Sequence, residues 1–406
     1  MNILIALTYY RPHTSGLTIY AERLARGLAA RGHHVTVLTS QFDRQLPRIE
    51  RLGRVRVVRA PVLLRVSKGV IMPTIGCLAN RFTLWADVLS LHLPQFDAAG
   101  IALRGRLFGK PTALTFHCDL HLPVGIFSRV VSTVIDTANL AAGTLADVIV
   151  SYTHDYARHS AYLSHYQNKV RIIPPPIEMD TPDPADVAAF RARWGTEGPL
   201  RGVIGMAARL ATEKGVEVLL DALPRVLERY PNARVLYAGQ YQNVLGEEDY
   251  ARRLAPLFER LHDHWTFLGV LNPREMAVFF SACDMVVVPS LNSTESFGLV
   301  QVEAMLCGTP SIASNLPGVR VPPQSTGMGE VVPVGDSRAL ADAIVRILDN
   351  RERYVRPRGE IEAMYSTPRT AELYEQLFQE LVAEKQRRTI TRQGLALPEH
   401  IKVEKT

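Results

Sequence analysis

The stretch 289–310 of this 406-residue chain holds the residue types best suited to chemistry. An apolar run at 285–288 ends in a polar loop with Glu295, and Phe297-Gly298-Leu299 then opens a helical pattern carrying Glu303. A helix that starts after a buried strand points unpaired amide N–H groups outward, and Gly298 lets a ligand approach the backbone, so the place suits a phosphate. Two carboxylates flanking that phosphate suit sugar hydroxyls on either side. The competing reading makes Glu295 a cap on the helix dipole and Glu303 a solvated side chain. A second constellation is Arg209-Leu210-Ala211-Thr212-Glu213-Lys214-Gly215, in a loop after an apolar run. It offers a planar fork and a point charge, a combination matched to a diphosphate. As a plain exposed loop it would leave Lys214 at a helix start against the dipole, and that local conflict favours function. His117 opens His117-Cys118-Asp119-Leu120-His121. A lone histidine is commonly structural, but at the C-terminal end of a parallel strand it is expected to point into the ligand cleft, with Asp119 and His121 as neighbouring candidates.

These residues need a scaffold that brings strand ends together. The pattern predicts strands at 2–8, 34–39, 55–59, 111–116 and 148–151, with a helix over 18–30 completing a first βαβ unit. Pro174, Pro175 and Pro176 remove backbone donors and enforce extended geometry, so a boundary is placed there. The alternation then restarts, with strands at 201–206, 233–238, 265–268, 285–289 and 309–313 and helices at 215–229, 273–281, 299–306 and 338–348. Alternating elements of this kind imply α/β architecture with two doubly wound parallel sheets, whose ligands lie beyond the C-terminal strand ends. The expected division is a first domain at 1–175, a second domain at 176–365, a helix over about 366–386 that packs back on the first domain, and a charged tail at 387–406. That helix carries Leu373, Leu377 and Leu381 four residues apart.

Composition narrows the function further. The chain has 46 Lys+Arg, 40 Asp+Glu and 47% apolar residues, which excludes collagen, coiled coil and disorder. The charge is uneven: residues 1–175 carry 20 Lys+Arg against 9 Asp+Glu, the remainder 26 against 31. A basic first half suits an anionic partner, such as a phosphorylated substrate or an acidic membrane surface. Nucleic acid is not expected, because no basic run with interleaved aromatics and no zinc-finger spacing occurs. Cys77, Cys118, Cys283 and Cys307 form no CxxC pair, and neither they nor the acidic spacings Glu247 to Asp249 and Asp180 to Asp186 read as a metal site. With no signal-peptide pattern at 1–7 and no apolar span long enough for a membrane helix, the expected location is the cytoplasm, with peripheral contact at the inner face of the membrane as the extreme. Arg54, Arg56, Arg59, Arg65 and Lys68 form a basic band before an apolar stretch at 70–93 with Phe82 and Trp85, and such a pair suits an anionic membrane. The alternative is a solvated strand edge followed by a core helix.

Arg209, Lys214-Gly215 and the pair Glu295 and Glu303, in this order and these contexts, resemble the retaining glycosyltransferases of family 4. The resemblance implies the GT-B fold and transfer of a sugar from a nucleoside-diphosphate sugar to an acceptor hydroxyl, of a cell-envelope, glycolipid or exopolysaccharide type, with no metal or other cofactor. It implies that Arg209 and Lys214 bind the donor diphosphate and stabilise the leaving group, that Glu295 holds hydroxyls of the transferred sugar, and that Glu303 binds the ribose. The backbone of Phe297, Gly298 and Leu299 would meet phosphate or sugar, and His117 would lie against the donor sugar. Ser15-Gly16 stands where the family has a glycine-rich loop; Gly16 still permits close approach, while Ser15 departs from the pattern. The resemblance implies retention, by attack on the face the leaving group departs from with the departing phosphate taking the acceptor's proton; a covalent route would need a carboxylate near the anomeric carbon. A nucleotide-sugar epimerase, a phosphorylase of the same architecture and a non-catalytic nucleotide-sugar binder remain alternatives, and products formed from donor alone would single out the epimerase.

Overall fold

The computed structural model describes residues 1–66, 69–119, 126–194 and 202–394, without the side chains of 66, 126–132 and 389–394. Lys68, His121 and Arg201 lie outside the described residues, as does the tail from 395.

In the first half the strands are β1 (Asn2–Ala6), β2 (His34–Gln41), β3 (Ile49–Leu52), β4 (Val55–Pro61), β5 (Leu64–Val66), β6 (Gly69–Ile71), β7 (Val88–Leu93), β8 (Thr112–Phe116), β9 (Val148–Ser151) and β10 (Val170–Ile172). Eight of them form one sheet in the order β10-β9-β8-β7-β1-β2-β4-β3, and β5 and β6 form a separate hairpin. Every pairing in the large sheet is parallel except β3 with β4. The central strands are buried along their whole length, the continuous apolar signature of a sheet covered on both faces.

The second half contributes β11 (Val203–Ala207), β12 (Arg234–Ala238), β13 (Trp265–Gly269), β14 (Met285–Val288), β15 (Ser311–Ser314) and β16 (Gly329–Val332). They form an all-parallel sheet in the order β13-β12-β11-β14-β15-β16. Strand order therefore reverses direction between β11 and β14 here, and between β1 and β7 in the first sheet. Ligands of open α/β sheets bind at such switch points, because loops diverge there and leave a crevice.

Helix Val216–Arg229 shows how this layer is built. Val216, Leu219, Leu220, Leu223 and Val226 fall on one face at helical spacing and are all buried. In the first half, helix Gly16–Ala30 starts at Ser15, whose hydroxyl accepts the Thr18 N–H at 3.3 Å while the Thr18 hydroxyl accepts the Ser15 N–H at 2.7 Å. The departure at Ser15 thus has a local reason: it closes a reciprocal cap at the helix start.

The chain crosses between the halves twice, and the crossings lie side by side. Ile177 donates its N–H to the Tyr365 carbonyl at 2.9 Å and accepts the Thr367 N–H at 3.0 Å. The final helix, Thr367–Gly394, then packs on helix Gly16–Ala30. It runs further than the 366–386 that the sequence pattern suggests. Ala371, Tyr374, Leu377 and Phe378 are its buried apolar residues among those described, whereas Leu373 and Leu381 are only partly covered. Tyr374 Oη lies 2.8 Å from both Tyr20 Oη and Thr115 Oγ1, so the helix is pinned to the first sheet by a buried polar contact as well as by packing.

Candidate active site

The loops after β11 and β14 meet at the switch point. Leu291 donates its N–H to the Glu213 carbonyl at 2.9 Å. Gly215 is left-handed at φ +65, and a Cβ on it would lie 2.2 Å from the Pro289 carbonyl oxygen, so only glycine lets these two loops touch. Lys214 Nζ, brought in by that turn, lies 2.6 Å from Glu295 Oε2. The other oxygen, Glu295 Oε1, accepts the Gly298 N–H at 2.9 Å. Gly298 is itself left-handed at φ +76 and caps helix Leu299–Leu306. The capping reading of Glu295 is met by one oxygen, and the other is paired with Lys214.

Arg209 sits on the rim, with its side chain 42% exposed, paired to Glu213 Oε1 at 2.6 Å. Burial raises the Glu213 carboxyl, but a backbone hydrogen bond and the charges of Arg209 and Lys214 outweigh it and hold the group below its ordinary range. Two cations thus flank the Glu213 carboxylate where the sheet opens. Cys118 is close enough for Glu295 and Asp119 to add to the effect of burial, which pushes its thiol up to about 12. It stays a thiol at neutral pH and is no nucleophile.

The first half covers this site directly. A Cβ on Gly16 would stand 3.9 Å from Leu299 Cδ1, so the start of the first helix faces the start of helix Leu299–Leu306. Ser296 donates its hydroxyl to the His117 carbonyl. Asp155 accepts from Arg320 Nε at 2.8 Å, Arg320 Nη2 at 2.6 Å and the Gly318 N–H at 2.9 Å. Asp119 is held by hydrogen bonds from Tyr156 Oη at 2.8 Å and Ser160 Oγ at 3.0 Å.

Two expected positions differ in detail. The expectation that the His117 ring points into the cleft is not met. It is buried, with Nε2 2.9 Å from His92 Nδ1 and Nδ1 against Tyr152 Oη, and it meets the second half through its backbone carbonyl. The apolar wall of Tyr20 and Tyr152 draws the ring inward. Glu303 is not solvated. It is 7% exposed, and its Oε1 lies 2.8 Å from Arg23 Nη2 on helix Gly16–Ala30. Arg23, His92, Tyr152 and Ser296 carry no local signal in the sequence, because their partners come from distant segments. A cavity of about 530 Å³ beside the linker, lined by Thr181, Val187, Ser281, Leu306 and Arg358, includes none of the Lys214 and Glu295 cluster.

The histidine pair makes stability depend on pH. Burial lowers His92 to about 3, and burial together with His92 lowers His117 well below its ordinary value. In the unfolded chain both titrate near ~6.5, so below that pH the unfolded state binds more protons. Stability is complete above this range and is lost as pH falls toward 3. Urea midpoints are therefore expected to drop between pH 7.5 and 5.0, the two histidines outweighing the opposite contribution of Asp97, whose carboxyl burial raises to about 6; a constant midpoint over that interval would contradict a neutral buried pair.

Residues 14–181 match the family model described as Glycosyltransferase Family 4, and residues 197–362 match that of Glycosyl transferases group 1. A phosphatidyl-myo-inositol mannosyltransferase of Mycobacterium leprae is 30% identical over 86% of this chain and 89% of its own. That of Mycobacterium tuberculosis strain H37Rv is 35% identical over 84% and 86%. A D-inositol 3-phosphate glycosyltransferase of Acidothermus cellulolyticus is 30% identical over 94% and 88%. Among solved structures, sucrose-phosphate synthase from Thermosynechococcus elongatus superposes with a TM-score of 0.72 at 24% identity, covering 94% of this chain and 99% of the other. Anabaena HepE in complex with UDP and glucose gives 0.70 at 18%, covering 93% and 99%. Two doubly wound sheets whose switch-point loops carry the site thus define an enzyme of the GT-B glycosyltransferase class. The chain belongs to glycosyltransferase family 4.

Proposed function

We propose that this glycosyltransferase takes its sugar from a nucleoside-diphosphate sugar and transfers it with retention to a hydroxyl of a polyhydroxylated ring. The observation that carries the reading is the Lys214 and Glu295 contact of 2.6 Å beside the Gly298 N–H. Breaking the anomeric C–O bond gathers negative charge on the departing diphosphate. Fixed cations and helix-start amides aimed at that charge stabilise the transition state without reorganisation. Lys214 and Arg209 supply the charge, and the backbone of Phe297, Gly298 and Leu299 supplies the amides, so the reading invokes no metal or cofactor. Gly16 lets the first half close over the diphosphate. Glu295 turns from Lys214 to the hydroxyls of the sugar, and Glu303 takes the ribose. His117 contributes through its carbonyl, which fixes Ser296 next to Glu295. In a retaining transfer by same-face attack, the departing phosphate oxygen takes the acceptor's proton.

The names of relatives support the acceptor class: they carry phosphatidyl-myo-inositol, D-inositol 3-phosphate and 2-deoxystreptamine, each built on a six-membered cyclitol ring. The solved HepE complex with UDP and glucose supports the donor class. A thermal-shift screen of UDP, GDP and ADP should find one that raises the melting temperature, since a ligand of the native state stabilises it. The matching sugar nucleotide with myo-inositol or its phosphate should then give a glycoside of unchanged anomeric configuration, and an inverted product or conversion of donor alone would overturn the reading.

A lipid-borne acceptor would bring the enzyme to a membrane surface in the cytoplasm. No described helix is long and apolar enough to cross a membrane. The basic band is narrower than the sequence implied, because Arg59 is buried and Phe82 is in the core. Arg65 remains exposed beside exposed Leu63, Leu64 and Ile71 of the β5 and β6 hairpin, whereas Arg54 lies at the far end of β4. An apolar tip with a cation beside it suits an anionic surface. The protein is expected to co-sediment with phosphatidylserine vesicles at low salt and to be released at high salt; absence from the pellet at low salt would count against membrane contact.

A further inference from the structure

Glu303 stands in the second half, yet its charged partner comes from the first. Arg23 lies on helix Gly16–Ala30 with its side chain only 11% exposed. Its guanidinium reaches three acceptors on two segments: Glu303 Oε1 at 2.8 Å, the Glu178 carbonyl at 3.1 Å and the Pro176 carbonyl at 3.5 Å. The last two belong to the crossing between the halves. A buried carboxylate stays ionised and in one rotamer only while a countercharge holds it. A guanidinium can do this while bonding two carbonyls, because its donors form a rigid planar fork.

We propose that Arg23 is a positioning residue for the donor nucleotide: it fixes Glu303 Oε1 so that Oε2 is presented to the ribose hydroxyls, and nucleotide affinity thereby depends on where the first half sits. The inference rests on the reading of Glu303 as the ribose contact. It extends that reading by making the donor site incomplete without a residue of the acceptor side and its crossing strand. Glu178 carries a second consequence, because its carboxylate also pairs with Arg26. The crossing is thus anchored on the same helix face that holds Glu303, and a shift of the halves moves the carboxylate and the crossing together.

Isothermal titration of the full chain with UDP and GDP, each against its 2′,3′-dideoxy form, tests this. The preference for the ribonucleotide reports the hydroxyl contact alone, which a general loss of packing would not alter. In the wild type the preference is expected to be about 10- to 100-fold, the value of a hydrogen bond to a charged group. Glu303→Gln and Arg23→Gln should both bring it close to one, and the double variant should show no further loss. A wild type without preference would overturn the reading of Glu303 and the inference with it. Loss in Glu303→Gln with full preference in Arg23→Gln would overturn the inference alone. Should Arg23→Gln fail to fold, Arg23→Lys decides: a single ammonium cannot span the carboxylate and both carbonyls, so the preference should fall by at least about threefold, and an unchanged preference would refute the role of Arg23.

Discussion

Glu295→Gln is expected to lower the transfer rate by about 10²- to 10³-fold, the loss seen when one group aimed at a transition state is removed. The same variant should bind a free nucleoside diphosphate at least as tightly as the wild type. The carboxylate lies 2.6 Å from Lys214, so neutralising it releases the cation and removes a negative charge beside the incoming phosphates. The amide should still accept the Gly298 N–H and preserve the helix start. Rate and affinity thus move in different directions. Steady-state kinetics with titration calorimetry separate them, and a wild-type rate in Glu295→Gln would remove this residue from the mechanism.

Lys214→Ala should instead lower affinity and rate together. Removing a charged donor from the diphosphate should weaken nucleoside diphosphate binding by about 1.5–3 kcal/mol, roughly 10- to 150-fold. It also leaves Glu295 next to the phosphates with no countercharge. The transfer rate should fall as well, because charge on the leaving group grows toward the transition state. Arg209→Ala should cost less in affinity, since that side chain is 42% exposed and already shared with Glu213. Equal nucleotide affinity in Lys214→Ala and wild type would place the diphosphate elsewhere.

Much of this site was legible because local chemistry and topology agree. The loops with Lys214 and Glu295 lie 81 residues apart. They follow β11 and β14, which pair directly with Ile204 opposite Met285, so doubly wound topology alone brings them together. Side-chain directions were less legible. His117 ends β8 where expected, but its ring follows Tyr20, His92 and Tyr152, contributed by three other elements. Arg59 was counted with Arg56 in a surface band, although in β4 a period of two puts them on opposite faces. Strand β7 was hidden within the apolar stretch at 70–93, because a fully buried strand lacks the alternation that marks one. The pairing of Arg23 with Glu303 joins positions far apart in sequence and leaves no periodic trace.

The most direct test is a crystal structure of the enzyme with its nucleoside diphosphate. The account predicts phosphate density within hydrogen-bonding distance of Lys214 Nζ and the Gly298 and Leu299 amides, with Glu295 turned away from Lys214. Phosphate density in the cavity beside the linker, or anywhere that leaves the Lys214 and Glu295 contact intact, would contradict it.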